Sequence, residues 1–142
     1  MRYSDPCQRK VREFLQAVGL PVSEGVTTEL DFELLKNLVD EEATEFVTGM
    51  DRLAYHVKKH DSMDDVLDAQ VEVIDAICDI IVVLHNTTNA MGIDITPFFD
   101  EVHRSNMAKV GGSVREDGKR LKPEGWTPPD LMPILKKQCK ER

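Results

Sequence analysis

The chain has 142 residues, of which 41% are hydrophobic and 31% charged, with a formal net charge of −8. That length suits one domain whose core needs no disulfides, and the three cysteines Cys7, Cys78 and Cys139 form no C-x-x-C pair that would suggest a zinc site. No signal core, and no apolar run near the roughly 20 residues needed to span a bilayer, is present, so a reducing, cytoplasmic compartment is expected.

In chain order, Asp5-Pro6 reads as a helix cap followed by proline at the first helical position, with Gln8 completing a capping box. Val11, Phe14, Leu15 and Val18 make an apolar stripe that Gly19 and Pro21 end. After a loop over 20–27, Thr28-x-x-Asp31 predicts a second start. Leu34, Leu35, Leu38, Val39 and Phe46 then mark a long amphipathic helix, with a break expected near Gly49 and helix resuming to Asp61. Ser62-x-x-Asp65 opens a third helix, which runs to Gly92. Its part from Val71 to Leu84 is apolar almost all round, and length and acidic spacing favour helix over strand there. Thr96-Pro97 starts a fourth helix that Gly111-Gly112 should end. Residues 111–130 predict an ordered loop or small hairpin, and Asp130 a cap for a short last helix through Cys139. Nothing marks an internal boundary. The expected fold is all-α, a bundle of four to five helices with a C-terminal loop or hairpin, forming a single domain over 1–142.

Two acidic constellations carry the chemistry. Glu41, Glu42 and Glu45 project from one side of the second helix within about one turn. Such like charges destabilise a helix by a few tenths of a kcal/mol per pair, and a lone E-E-x-x-E would ordinarily be a solvated face. Asp75 and Asp79, one turn apart in the apolar third helix, change that balance. A carboxylate buried without a partner costs several kcal/mol, and residues 1–102 hold only 8 Lys and Arg against 21 Asp and Glu. A metal is the more economical counter-ion. Oxygen donors without histidine suit Mg²⁺, with Mn²⁺ as a possible substitute, better than zinc. Residues 103–142 carry 10 basic side chains against 5 acidic ones, so an acidic body with a basic end suits a metal–phosphate ligand. An acidic body is a poor generic binder of nucleic-acid polymers. No P-loop or G-x-G-x-x-G is present.

These residues resemble a family. The E-E-x-x-E helix, the acidic pair in a later apolar helix and the Gly92-Ile93-Asp94 turn look like the MazG-like all-α NTP pyrophosphatases. Glu101-Val102-His103-Arg104-Ser105-Asn106-Met107-x-Lys109 and Asp117-Gly118-Lys119-x-Leu121-Lys122-Pro123-x-Gly125-Trp126-x-Pro128-Pro129-Asp130 are similar to its phosphoribosyl-ATP pyrophosphohydrolase-like branch, which includes MazG-fold dUTPases. The likeness covers about residues 30–130. It implies a Mg²⁺-dependent hydrolase giving nucleoside monophosphate and pyrophosphate, with dUTP or another dNTP as the leading substrate in a house-cleaning role.

By the same resemblance, Glu42, Glu45, Asp75 and Asp79 would hold the metal, and Glu41 would orient or deprotonate water. Asn106, Lys109, Lys119 and Lys122 would contact phosphates. Trp126 would pack on the nucleotide or else pin the loop to the bundle. A homodimer or dimer of dimers is implied, with loop residues reaching a neighbour's site. One departure stands out. Counting back from Gly92 puts Asp79 at the aspartate of the family's E-x-x-D motif and Ala76 at its glutamate. That leaves Asp75 or Glu72 to supply the missing carboxylate. Two other readings remain: a non-catalytic acidic helical binding module, and a di-iron carboxylate bundle. The second would need Glu-x-x-His motifs, for which the chain offers only Asp100-x-x-His103.

Overall fold

The computed structural model describes residues 3–141. Its five helices are α1 (Pro6–Ala17), α2 (Phe32–Lys59), α3 (Met63–Met91), α4 (Thr96–Met107) and α5 (Met132–Lys140), with no strand among the described residues. One isolated bridge, Val114 to Arg120, is all that the 111–130 segment forms of a hairpin.

Local signals set most of the boundaries. Asp5 caps α1 by accepting from the Gln8 N–H at 2.6 Å. Ser62 caps α3 through Asp65, and Gly92 ends it at φ 68°. Three expectations shift. The cap of α2 is Asp31 itself rather than Thr28, because the Asp31 carboxylate reaches the Leu34 N–H. Asp130 does not cap α5, whose capping position is Leu131. α4 ends at Met107, ahead of the glycines.

α2 runs unbroken through Gly49. A β-carbon there would lie 3.4 Å from the Val73 side chain, so the glycine serves close helix packing rather than a break. α2 and α3, joined through His60 in the left-handed conformation, pack as an antiparallel hairpin. Small residues of α3, Ala69, Val73 and Ala76, are buried along the seam. α1 packs on the other end of α3. There the Gln8 side chain leaves the capping box and bridges main chain instead, donating to Ile93 O at 2.6 Å and accepting from Ile95 N at 3.2 Å. Gln138 of α5 does the same from the opposite side, accepting from Asp94 N and donating to Asp94 O. Buried amides facing buried main chain are thereby satisfied, and the turn between α3 and α4 is clasped twice.

The apolar run of α3 is only partly covered. Val71 and Ile74 are 63% and 58% exposed, and Ile77, Ile81 and Leu84 are exposed with them. No described helix is long and apolar enough to cross a membrane.

Candidate active site

The acidic faces of α2 and α3 meet across the middle of the hairpin seam. Glu42 marks the meeting point. Loss of hydration pushes its carboxyl above the ordinary glutamate range, and the charges of Asp79, Glu45, Glu41 and Asp75 push it further the same way. The other four carboxylates singled out by spacing thus lie close enough to act on Glu42. Their side chains do not converge into a ready three-ligand cage among the described residues. Asp75 is exposed and Asp79 half-buried, so the burial expected of Asp79 is partial.

The two candidates for the missing carboxylate differ in their surroundings, although both line one cleft. Glu72 is engaged in an ion pair with Arg52 of α2 and is absent from the charges felt at Glu42, whereas Asp75 is among them. Beside the acidic faces lies a polar cleft of about 370 Å³ lined by Glu45, Thr48, Gly49, Arg52, Glu72 and Asp75, among others. Arg52 is the cation that lines this cleft. A lone arginine carries no pattern, and its placement emerges only once α3 is docked.

In the other direction along the seam, one to two turns from Glu42, Leu38, Leu35 and Leu34 of α2 line an apolar cavity of about 330 Å³. Leu15, the 20–31 loop, Asn86 and Ala90 complete it. The loop is held by Ser23 and Thr27, whose N–H groups donate to Asn89 O and Met91 O at 3.0 Å. These bonds satisfy carbonyls that the end of a helix leaves free.

The basic candidates gather elsewhere. Lys109 donates to Asn106 Oδ1 at 2.7 Å. The ammonium groups of Lys109 and Lys122 lie 5.5 and 4.2 Å from the centre of the Trp126 ring. The Trp126 indole N–H donates to Ser105 O at 2.8 Å, so within this chain the tryptophan fastens the loop to α4. Lys119 is exposed on the bridge segment. α4 makes no extensive interface with α2 or α3, and among the described residues these lysines form no direct ion pair with the acidic cluster.

Glu101 anchors the same tail. Its carboxylate accepts twice from Arg104 at 2.8 Å and once from the Asp130 N–H at 2.9 Å. Chiefly through the Arg104 bonds, its pKa is lowered from 4.5 to about 2. A lowered carboxyl contributes stability above its unfolded value and loses it as pH falls through the folded one. Acidification from about pH 4.5 toward 2 is therefore expected to free the tail, read as a red shift of Trp126 emission. Glu101→Gln should remove this step, and a transition unchanged in that variant would contradict the anchoring role.

Residues 11–106 match the family model described as phosphoribosyl-ATP pyrophosphohydrolase. No curated protein sequence matches the chain.

Proposed function

The chain belongs to the phosphoribosyl-ATP pyrophosphohydrolase family, pyrophosphohydrolases of the MazG-like all-α type, and from that premise we propose that it hydrolyses a nucleoside triphosphate, with dUTP or another dNTP as the leading substrate, to monophosphate and pyrophosphate with Mg²⁺. The observation that carries this reading is the meeting of two acidic helix faces at Glu42. The donor set fits the ion: hard carboxylate oxygens, few enough that waters and substrate phosphates complete the shell. Glu42, Glu45, Asp75 and Asp79 would hold it, and Mn²⁺ could replace it. When bound, the metal neutralises phosphate charge and lowers the pKa of water.

The remaining work falls to the chain's own residues. Glu41 accepts a proton from the attacking water, whose oxygen bonds to the α-phosphorus as the bond to the bridging oxygen breaks. Pyrophosphate leaves with both electrons of that bond. Arg52, which lines the cleft beyond Glu45, would stabilise the leaving group's charge.

The tail cations Lys109, Lys119 and Lys122, with Asn106, are proposed to serve phosphates in the site of a second copy, because they pair with none of this chain's own site carboxylates and α4 packs little on α2 and α3. The exposed Val71, Ile74, Ile77, Ile81 and Leu84 of α3 form an uncovered apolar face of the kind that marks an interaction surface, which supports a homodimer or dimer of dimers. Light scattering at micromolar concentration that gave the mass of a single chain would overturn the assembly.

The activity test is a panel of dNTPs, NTPs and phosphoribosyl-ATP incubated with Mg²⁺, with pyrophosphate and monophosphate assayed together. Equal release of the two on a dNTP supports the proposal. Turnover of phosphoribosyl-ATP alone would move the substrate to the compound for which the family is described, and orthophosphate would mean that a different bond is cut.

A further inference from the structure

Asn86 lies seven residues beyond Asp79 on α3, so the two side chains are only about 20° apart around the helix and roughly 10 Å apart along it. At Asn86 the seam changes character. The acidic faces give way to the apolar cavity walled by Leu15, Leu35, Leu38 and Ala90. Within that apolar lining the Asn86 Oδ1 is buried and has no hydrogen-bond partner among the described residues. A buried acceptor left unpaired is costly, and native structures retain few of them. An amide that lines a cavity with its acceptor unused is the kind of convergent polar group that fixes a ligand's orientation.

Resting on the reading above, we propose that this cavity is the slot for the substrate's nucleobase, and that the base is a pyrimidine carrying N3–H, read by Asn86. At about 330 Å³ the cavity sits at the small end of the range for ligand pockets, roughly 300–1,000 Å³, and has room for a nucleobase with its sugar; an imino N–H beside a carbonyl, which uracil carries and cytosine and adenine lack, matches what an amide can read. Its leucines cover the ring faces, and its mouth is bordered by the exposed Leu20 and Leu34. The unpaired Oδ1 accepts from the imino N3–H, and the amide nitrogen donates to a flanking carbonyl of the base. The spacing along α3 then sets the α-phosphate over Asp79 and Glu42, with the β- and γ-phosphates running on toward Arg52. Base, reacting phosphorus and leaving group thus lie in order along one seam.

Two measurements on the full chain test the slot: calorimetric binding of dUMP, dCMP and dAMP, and kcat and KM for the matching triphosphates. Asn86→Ala is expected to weaken dUMP binding at least tenfold, to raise KM for dUTP, and to erase the preference for dUMP over dCMP. Ala90→Leu, which fills the cavity, should weaken all three ligands. Asn86→Leu serves as the folding control. By removing an unpaired buried acceptor it should raise the Tm by a few degrees while losing the same preference. Unchanged affinity and preference in all three variants, or tighter binding of dAMP than of either pyrimidine by the parent, would overturn the slot. The two proposals fail separately. Binding of dUMP that depends on Asn86, without turnover of any triphosphate, keeps the slot and removes the hydrolysis. Turnover indifferent to Asn86 and Ala90 keeps the hydrolysis and removes the slot, and absence of both binding and turnover removes the two together.

Discussion

Asp79→Asn is expected to lower kcat/KM for pyrophosphate release by about 10³ or more while leaving the metal-free protein at least as stable as the parent. The first part follows from the loss of an anionic oxygen donor from a centre that stabilises several kcal/mol of developing charge, each 1.36 kcal/mol of which is a factor of ten in rate. The second follows from Glu42, whose carboxyl is pushed up by burial and by Asp79, the foremost of the four neighbouring charges. Removing that charge relieves repulsion that only a bound cation otherwise offsets. The parent should therefore gain Tm on addition of Mg²⁺ and the variant should gain little.

Two companion variants locate the missing family carboxylate. Asp75→Asn should lose the Mg²⁺ response, whereas Glu72→Gln should keep it, since Glu72 is tied to Arg52. Full pyrophosphate release by Asp79→Asn would remove the carboxylates from the mechanism and favour a binding module.

Gly92→Ala is expected to cost roughly 3 kcal/mol and to lower the Tm by about 10 °C. Gly92 adopts φ 68°, and a β-carbon there would lie 2.1 Å from Gly25 O and 2.9 Å from Ser23 Oγ. The left-handed conformation alone costs a residue with a side chain about 1–2 kcal/mol. The approach to Gly25 O is a collision with main chain, which a rotamer change cannot relieve. The loop must move instead, breaking the bonds from Ser23 and Thr27 to the end of α3. A wall of the apolar cavity goes with it. Thermal unfolding by circular dichroism checks the magnitude; a Tm within about 2 °C of the parent would mean that the loop relaxes without loss.

How far the sequence disclosed these features depended on whether their causes were local. Asp5-Pro6, Ser62 and Gly92 announced helix ends because capping is settled within a few residues. Gln8 was misread as half of a capping box, since its partners Ile93 and Ile95 lie more than 80 residues away. Gly49 suggested a break because a glycine in a helix is unfavourable by itself; the compensating contact with Val73 belongs to another helix. In the site, the five carboxylates were legible because like charges at helical spacing are costly and call for a reason. Asn86 and Arg52 were not, being single polar residues without a repeating pattern. The one signal available for Asn86 was its seven-residue offset from Asp79, which means something only once Asp79 is known to matter. The exposed Val71 and Ile74 show the same limit from the other side, because an apolar run states that a face is to be covered without stating by what.

The two ends of the seam also differ in how far apart along the chain their parts lie. The acidic centre is assembled within one helical hairpin closed by a tight turn at His60, from residues about 30 to 40 apart in the sequence. The apolar cavity needs Leu15 and the 20–31 loop to meet Asn86 and Ala90, some 55 to 75 residues later. Closing the longer loop has the larger entropic cost, and contacts distant in sequence form late. The hairpin with its carboxylates is thus the early-forming and persistent unit of the chain. The cavity is the part that closes last on folding and opens first below global unfolding, an order that amide hydrogen exchange resolves as lower protection at Ser23 and Thr27 than along α2 and α3.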